Sequence, residues 1–437
     1  MYRIISKLLV YGDLPSDSIL MKLGDIYKNF ESKEESKDRL ITEIYKQIKR
    51  LLVLSTDYGF DKNLWHNYLT FLLITEENPF SITCEKAGAR EGSINEFAKN
   101  DFQAFMELFH FDFSPLETEL GINCFSRIEQ YQAIEKSELL YHKNVSEKVR
   151  RLSEKLELAQ NTDDFFKLVT QFYHDFGVGM FGLNKAFRIG HNSRGKLIFH
   201  PISHMDPVVL DDLIGYDLQK KKLIDNTTAF LSGKKANNVL LFGDSGTGKS
   251  TSIKAIVNQY YDQGLRMIEI NKHQFQDLPA IISKIKNRNY KFIIYMDDLS
   301  FEESEIEYKF LKAVIEGGVE TKTDNILIYA TSNRRHLIKE TWNDRNDMEY
   351  SNGMHRSDTI EEKMSLVNRF GVTIYYAKPT QKEYFHIAAE LAKRSHIPMS
   401  EEEICKEANK WELSHGGISG RTAQQFINYL SGLTYDI

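Results

Sequence analysis

The segment from Gly243 to Ser250 carries the clearest chemistry in this sequence. It reads GDSGTGKS and matches the pattern G-x-x-x-x-G-K-[ST]. Glycines let a backbone fold tightly around phosphate groups, so that successive N–H groups and a helix N-terminus face the anion. Lys249 adds a positive charge, and the Ser250 hydroxyl is a suitable Mg²⁺ ligand. The segment therefore predicts a phosphate-binding loop, which holds a nucleoside triphosphate through Gly243, Asp244, Ser245, Gly246, Thr247, Gly248, Lys249, Ser250 and Thr251.

The residues on either side of this loop fit the same interpretation. Residues 238–242 are a short apolar run typical of a strand, and residues 251–260 are a candidate helix with Ile253, Ile256 and Val257 on one face. The alternative is a glycine-rich turn that matches the pattern by chance. A strand before the loop and a helix after it favour the phosphate-binding interpretation.

Two acids, Asp297 and Asp298, follow another apolar run at residues 292–296. An acid at the carboxyl end of a buried strand points into the crevice where open α/β sheets bind their ligands. We expect Asp297 to hold Mg²⁺ together with Ser250, and Asp298 to orient or deprotonate the attacking water. The alternative for Asp298 is a helix cap before Ser300.

Asn333 comes at the end of the next strand candidate. An Asn in this position is ordinarily a turn residue. Here its strand is expected to lie between the phosphate-loop strand and the Asp297 strand. Its amide could therefore polarise the water that attacks the phosphate.

Two arginines could reach the phosphates from elsewhere. Arg369 comes just before the last strand candidate, where an exposed arginine is normally a surface ion pair worth about 0–1 kcal/mol. The alternative is an arginine finger offered to the γ-phosphate of a neighbouring subunit, which contributes roughly 10³–10⁵ in rate. Arg421 lies near the start of a C-terminal helix with Ser419 as its N-cap, and it could fold back over the phosphates.

The pattern of apolar residues divides the chain into four segments. Residues 1–185 are predicted to form a helical N-terminal domain, residues 186–207 a hairpin and linker, residues 208–378 an α/β core, and residues 379–437 a helical lid. Strand-like and helix-like segments alternate in the core, which is typical of a parallel sheet with crossover helices. In the N-terminal part, an aromatic stripe around Phe102 is interpreted as packing core, with a partner-binding groove as the alternative.

The bulk composition excludes several classes of protein. Of the 437 residues 41% are apolar and 27% are charged, which is an ordinary globular balance, and the net charge of −6 comes with no long basic block for nucleic acid or a membrane surface. Three cysteines are too widely spaced for a zinc site. The first residues lack the layout of a signal peptide, and the apolar run at residues 68–74 is too short to span a bilayer. The prediction is a cytoplasmic protein without a membrane segment.

Taken together, residues 208–437 resemble an AAA+ P-loop ATPase module. The loop, the two acids, the strand-end Asn and the two arginines stand in the order of Walker A, Walker B, sensor 1, arginine finger and sensor 2. Ile214 and Gly215 lie in a segment similar to the one that holds adenine in this superfamily. The whole chain is most similar to a bacterial AAA+ family catalogued as a domain of unknown function.

The resemblance implies a three-layer α/β module with a parallel sheet and a C-terminal helical lid, preceded by a mostly helical N-terminal domain. It also implies ATP and Mg²⁺ as cofactors, and assembly as a homo-oligomer in a ring or an open arrangement. The metal ligands are then Ser250 and Asp297. The catalytic residues are then Lys249, Asp298, Asn333, Arg369 and Arg421.

Two features depart from the usual AAA+ pattern. The second Walker B acid is Asp298, where most AAA+ motors carry Glu, so its carboxylate falls short by one methylene, about 1.5 Å. This predicts slow or differently arranged hydrolysis. Phe275 stands at the position of the pore aromatic of polypeptide-threading motors, but the glycine of that element is absent from the sequence. Threading through a central pore is therefore not predicted.

The leading hypothesis is an ATPase that hydrolyses ATP with Mg²⁺ at a subunit interface and couples turnover to a conformational change in an unidentified protein partner, bound through the N-terminal domain. The alternative is a slow-hydrolysing, nucleotide-gated binding module or adaptor. Association with DNA is compatible with the module but unsupported by the charge. A small-molecule kinase would leave Asn333 and Arg369 unexplained.

Overall fold

Two compact units make up the chain, Met1–Asn184 and Lys185–Ile437. The computed structural model describes residues 1–134, 143–192, 195–202, 205–302, 305–316, 323–334, 337 and 366–433. Among the helices in these ranges, none combines the length and the apolar character that crossing a bilayer requires.

The first unit is built from helices. Apolar residues recur at helical spacing in its sequence, and the helices bury them in a core that includes Trp65, Leu108 and Tyr173. The aromatic stripe is packing core, as predicted, since the Phe102 and Phe105 side chains are fully buried. The helices are α1 Tyr2–Ile5, α2 Ile19–Ser32, α3 Lys37–Tyr58, α4 Leu64–Thr75, α5 Pro79–Ala87, α6 Ile94–Phe109, α7 Ser114–Leu120, α8 Cys124–Glu129, α9 Lys143–Glu157, α10 Thr162–Phe176 and α11 Gly179–Leu183.

A seven-stranded sheet forms the centre of the second unit. Its strands are β1 Ala186–His191, β2 Leu197–Pro201, β3 Val239–Gly243, β4 Leu265–Glu269, β5 Lys291–Met296, β6 Ile326–Ser332 and β7 Val372–Tyr376. They lie in the order β2-β1-β4-β5-β6-β3-β7, and every neighbouring pair is parallel except β1 with β2. β3, β5 and β6 are apolar runs whose residues are mostly buried, as central strands of a parallel sheet should be. The predicted α/β fold with a parallel sheet is confirmed.

The hairpin predicted within residues 186–207 is present as β1 and β2, and it is part of this sheet. β1 pairs with β2 in antiparallel register, and its other edge pairs in parallel with β4. This position buries Ala186 and Phe187 completely. A pairing partner so distant along the chain leaves no mark in the local pattern, so the sequence could not reveal it. The predicted turn includes residues 193–194, which lie outside the described residues.

The other elements of the second unit are helices, and the last three of them form the predicted lid. They are α12 Asp217–Leu231, α13 Lys249–Tyr260, α14 Leu278–Ile285, α15 Glu307–Glu316, and in the lid α16 Gln381–Arg394, α17 Glu401–Ser414 and α18 Gly420–Gly432. The lid has a core of its own, in which Ile387 and Phe426 are buried. Each lid helix begins at a side chain that caps its first turn, Thr380, Ser400 and Ser419 respectively.

Candidate functional site

The loop between β3 and α13 follows a path that requires glycine at two positions. Gly243 has φ 134° and lies against β7, where a Cβ atom would come within 2.1 Å of the Tyr376 carbonyl oxygen. Gly248 has φ 87° and precedes α13, and a Cβ atom there would meet Leu213 at 2.8 Å. No other residue has this freedom without strain. The first N–H groups of α13 have no partner within the helix and are therefore available to an anion.

Lys249 is buried at the first position of α13, and its amine is held by neutral groups. The Nζ atom donates to the carbonyl oxygens of Gly243 at 3.0 Å and Asp244 at 2.6 Å, and to Asn333 Oδ1 at 3.0 Å. Burial lowers the pKa of Lys249, although nearby aspartates act in the opposite direction. A phosphate in contact with this amine would provide the full counter-charge that its present acceptors lack.

The Asp297 carboxylate accepts two hydrogen bonds on one oxygen. Ser250 Oγ donates to Asp297 Oδ1 at 2.7 Å, and Thr331 Oγ1 donates to the same atom at 2.6 Å. Burial alone would raise the pKa of this carboxyl group, but the surrounding donors outweigh burial and the pKa lies below its ordinary value. The structure thus brings Ser250 and Asp297 together, with the carboxylate in its charged form.

Asp298 and Asn333 meet beside the Lys249 amine. Asn333 Nδ2 donates to Asp298 Oδ1 at 2.8 Å, and the Asp298 N–H donates to Thr331 Oγ1 at 2.9 Å. The strand order explains the meeting, because β6 lies between β3 and β5 as the sequence predicted. Asp298 has φ 50°, a left-handed conformation in which Asp is enriched and longer side chains are rare. The backbone at this point therefore favours Asp over the Glu that most AAA+ motors carry.

The donor set of Ser250 and Asp297 fits Mg²⁺. Within the ranges that the structure describes, no three His, Cys, Asp or Glu side chains are grouped so that they could hold a metal ion by themselves. Mg²⁺ usually keeps several waters and is bound by one or two carboxylates together with substrate phosphates. A hydroxyl and a carboxylate in contact at the end of the phosphate-binding loop match that requirement.

A cleft of about 860 Å³ opens at the loop, within the range of about 300–1,000 Å³ that is usual for small-molecule sites. One end is polar and is lined by Lys249, Ser250, Asp297, Asp298 and Asn333. Further lining comes from the loop and the start of its helix, at Ser245, Gly246, Thr247, Gly248 and Thr251. Apolar side chains line it as well, with Val208, Leu213, Ile214 and Tyr216 before or at the start of α12, and Ile387 and Leu391 from the lid.

Three residues that the sequence assigned to the nucleotide lie outside the lining of this cleft. Gly243 lies against β7, and Asp244 Oδ2 accepts a hydrogen bond from the Lys378 N–H at 3.0 Å. Gly215 has φ 79° in the turn before α12. Gly215 and Gly243 shape the path of the backbone around the cleft, and the carbonyl oxygens of Gly243 and Asp244 hold the Lys249 amine.

The lid contacts the phosphate-binding loop at the start of α18. The Arg421 N–H donates to the Gly246 carbonyl oxygen at 3.1 Å. A Cβ atom on Gly246 would come within 3.0 Å of Ser419 Oγ, so lid and loop are in close contact. Arg421 is one of the residues that line the cleft.

Arg369 lies away from the cleft of its own chain. It precedes β7, whose residues Val372–Tyr376 run parallel to β3 toward the phosphate-binding loop. At about 3.3 Å per residue, the five residues of this strand separate Arg369 from the site edge of the sheet by about 16 Å. Arg369 does not line the cleft.

Sequence reasoning missed Thr331 and Tyr295. Thr331 donates to Asp297 and accepts from Asp298, so it connects the two acids. Tyr295 is fully buried on β5, close to Asp297. Strand periodicity was the available signal, because Thr331 is two residues from Asn333 and Tyr295 is two residues from Asp297.

Phe275 is buried within the second unit. Its side chain is 1% exposed and packs against Phe301, with ring centroids 6.1 Å apart. An aromatic side chain that grips a threaded polypeptide has to be exposed in the pore. The structure gives no support for threading at this residue.

Comparison with known proteins assigns the chain to a family. The family model described as Protein of unknown function (DUF815) matches residues 183–434, more than half of the chain. The chain belongs to this family. The match includes the sheet, the phosphate-binding loop and the lid of this DUF815 protein. No curated protein matches the chain.

Two kinds of solved structure are similar to this DUF815 chain. The Thermotoga maritima RuvB Holliday junction branch migration motor is 16% identical, with a TM-score of 0.33, over 52% of this chain and 75% of its own. C. elegans PCH-2 is 17% identical, with a TM-score of 0.35, over 49% of this chain and 63% of its own. The phosphate-binding loop between a strand and a helix, the mainly parallel sheet and the helical lid are the features of the fold class that the sequence predicted.

Proposed function

We propose that this DUF815 chain is an AAA+ ATPase that hydrolyses ATP with Mg²⁺ at the interface between two subunits. The proposal is carried by one observation, the joint placement of the Lys249 amine and the Ser250–Asp297 pair at the polar end of one cleft. A buried amine with neutral acceptors gains a charged partner when phosphates bind. The adjacent hydroxyl and carboxylate provide the donors that Mg²⁺–phosphate sites use.

The phosphates are held by the loop and its lysine. Lys249 exchanges its contacts with the Gly243 and Asp244 carbonyl oxygens for the β- and γ-phosphates. Ser250 and Asp297 hold the metal. When bound, Mg²⁺ neutralises charge on the phosphates and fixes their orientation.

The attacking water is positioned by Asp298 and Asn333. Asp298 Oδ1 accepts a hydrogen bond from Asn333, which orients the carboxylate. The second oxygen, Oδ2, keeps its lone pairs for a proton taken from water. The Asn333 side chain also contacts Lys249, so the water site and the phosphate site share one amide.

Two arginines complete the site from different places. Arg421 reaches the phosphates from the lid, where its backbone already contacts the loop. Arg369 acts on ATP bound by a neighbouring copy, because the sheet separates it from the cleft of its own chain. This arrangement needs a homo-oligomer, either a ring or an open assembly. An arginine supplied in this way contributes about 10³–10⁵ in rate.

The adenine base occupies the apolar part of the cleft. Ile214 approaches it from the segment before α12, and Ile387 and Leu391 approach it from the lid. Gly215 sets the turn that presents Ile214. Since loop and lid both contact the nucleotide, a change from ATP to ADP shifts the lid, and this movement is passed to a protein partner held by the helical first unit.

A second candidate is a slow-hydrolysing, nucleotide-gated binding module. It is favoured by Asp298, whose carboxylate is one methylene shorter than that of Glu and is already hydrogen-bonded to Asn333. In that case the ATP-bound state recruits the partner and hydrolysis ends the complex. Single-turnover hydrolysis separates the two candidates, because a motor hydrolyses its bound ATP much faster than the partner dissociates and a gated module does not. Nucleic acid gains no support from the net charge of −6.

The proposed function is tested by measuring ATP binding and hydrolysis in Lys249→Ala. Loss of the lysine is expected to reduce hydrolysis by about 10²–10³, as for other groups that stabilise developing charge. Lys222→Ala, an exposed lysine on α12, is the control and is expected to behave as wild type. A wild-type chain that binds no ATP, or a folded Lys249→Ala that hydrolyses ATP like wild type, would sink the proposal.

A further inference from the structure

Tyr295 has a buried hydroxyl at the edge of the metal site. It stands on β5 two residues before Asp297, and its side chain is fully buried. No described residue is in hydrogen-bonding geometry with the hydroxyl, although Ser250, Asp297 and Thr331 are near enough to interact with it. A buried hydroxyl without a partner costs free energy, which a phenylalanine of similar shape would avoid. Packing alone therefore does not account for a tyrosine at this position.

The neighbouring strand provides a direct comparison. Tyr329 is paired with Tyr295 in the register of β5 and β6, and it is also fully buried. The Tyr329 hydroxyl is bonded to Thr227 Oγ1 at 2.8 Å and accepts from Asn226 at 3.2 Å. The two tyrosines thus lie in the same core and differ in the hydrogen bonding of their hydroxyls. That of Tyr329 is satisfied by α12, whereas that of Tyr295 is directed to the metal site.

Asp297 is the acceptor that suits the Tyr295 hydroxyl best. Its Oδ1 atom takes hydrogen bonds from Ser250 and Thr331, while Oδ2 takes none from the described residues. An ionised carboxylate offers about four lone-pair sites, so Asp297 has capacity for a further donor. A hydroxyl that donates to a carboxylate makes one of the stronger hydrogen bonds in proteins.

We propose that Tyr295 is a positioning residue of the Mg²⁺ site, whose hydroxyl donates to the Asp297 carboxylate once Mg²⁺ and nucleotide are bound. In the structure one oxygen of the Asp297 carboxylate accepts from two hydroxyls, those of Ser250 and Thr331. Ser250 and Asp297 would hold the ion, which would supply a positive charge beside them, and the Tyr295 hydroxyl would then donate to the Asp297 carboxylate and fix its orientation. Groups that hydrogen-bond a metal-binding carboxylate fix its orientation. The inference rests on the proposed function.

The test compares Tyr295→Phe with Tyr329→Phe in the full chain. The probe is a fluorescent ADP analogue, whose dissociation constant is measured for each protein with Mg²⁺ and with EDTA. Loss of a hydrogen bond behind a metal ligand typically costs about 10–100-fold in affinity. For Tyr295→Phe we therefore expect the affinity gained from Mg²⁺ to fall by about tenfold or more, with the affinity in EDTA unchanged. For Tyr329→Phe we expect the Mg²⁺ effect of wild type.

The free energy of unfolding is a second measurement, and it distinguishes a positioning role of the Tyr295 hydroxyl from a structural role. Urea unfolding is measured on the proteins free of metal and nucleotide. Tyr295→Phe is expected to be as stable as wild type or more stable, because it removes a hydroxyl without a partner. Tyr329→Phe is expected to be less stable, because Thr227 and Asn226 lose a partner.

Two results would overturn the proposal and make the Tyr295 hydroxyl a structural group. One is an unchanged Mg²⁺ effect in Tyr295→Phe, and the other is a loss of metal-free stability like that of Tyr329→Phe. Failure of the proposed function gives a different result, because the wild-type chain itself then binds no nucleotide in either buffer.

Discussion

The Asn333 side-chain amide donates to Asp298 Oδ1 at 2.8 Å, while its own oxygen accepts from the Lys249 amine at 3.0 Å. One planar amide therefore connects the group proposed to bind phosphate with the group proposed to position the attacking water. In the proposed mechanism, phosphates would draw the amine away, and the amide oxygen would then be free to accept a hydrogen bond from the attacking water. We therefore expect Asn333 to change the orientation of the Asp298 carboxylate according to whether phosphates are bound.

Replacing Asn333 by Ala should separate hydrolysis from binding. The variant keeps the loop, so ATP affinity is expected to stay close to wild type. Its hydrolysis rate should fall by about 10²–10³, because an oriented polar group is removed from the reacting water. Steady-state kinetics and fluorescent-ATP titration measure the two quantities. Asn428→Ala on the exposed face of α18 is the control, and an equal loss of affinity and rate in Asn333→Ala would contradict this role.

The lowered pKa of Lys249 predicts opposite effects of pH on folding and on ATP binding. Between the lowered pKa and the ordinary value of 10.5, the unfolded chain holds the proton and the folded chain has lost it. The contribution of this lysine to stability therefore rises with pH across that window. ATP affinity falls across the same window, because phosphates bind the charged amine. Urea unfolding and ATP titrations from neutral to alkaline pH measure both trends.

Lys249→Arg is the control for the pH effect, since a guanidinium stays charged throughout. The fall in ATP affinity at alkaline pH should be absent from this variant. If Lys249→Arg shows the same fall as wild type, another group is responsible for it.

The sequence was sufficient for the parts of the site that rest on local pattern. The spacing of the glycines and Lys249 predicts a phosphate-binding loop, because glycines at these positions let the backbone fold tightly around phosphate groups. The position of Asn333 beside Asp298 also followed, because buried apolar runs alternating with helices predict a parallel sheet, and the carboxyl ends of its strands meet at one edge. These inferences needed only the spacing of the motif residues, the alternation of strand-like and helix-like segments, and the position of polar residues at strand ends.

Features that depend on distant pairing could not be predicted in this way. The hairpin of β1 and β2 joins the sheet through β4, and nothing near residues 186–201 indicates that partner. The sequence likewise could not predict that the Tyr295 hydroxyl lacks a hydrogen-bond partner. From the sequence, Tyr295 is only one residue of an apolar strand. The left-handed backbone of Asp298, which favours Asp over Glu, became evident only from its φ angle.

A methyl group on Gly246 should push the lid away from the loop. In Gly246→Ala the added Cβ would come within 3.0 Å of Ser419 Oγ and 3.1 Å of Arg421 Cβ. Because residues of the lid and the loop line the same cleft, we expect ATP affinity to fall by about tenfold or more, equivalent to about 1.4 kcal/mol. Fluorescent-ATP titration measures this loss.

Gly233 offers a matched control for the backbone strain in Gly246→Ala. The two glycines have similar angles, φ 71° and φ 76°, but a Cβ on Gly233 would meet nothing within 4 Å. Gly233→Ala should therefore lower stability by about 1 kcal/mol through strain alone and leave ATP affinity unchanged. If both variants lose ATP affinity equally, strain rather than lid contact is the cause.

The position of Arg369 predicts that two inactive variants restore activity when mixed. Arg369→Ala keeps an intact cleft but offers no finger, and Asp298→Asn offers an intact finger but has no base. An equimolar mixture that assembles at random through head-to-tail interfaces should recover about a quarter of the wild-type rate, since one interface in four combines the intact cleft with the intact finger.

Arg39→Ala, which removes an exposed ion pair with Glu35, is the control and should hydrolyse ATP like wild type. ATPase assays of the separate and mixed proteins measure the recovery. If Arg369→Ala alone hydrolyses ATP like wild type, Arg369 is only a surface group. If the mixture stays as inactive as its components while wild-type activity per subunit is independent of concentration, Arg369 does not act on a neighbouring copy.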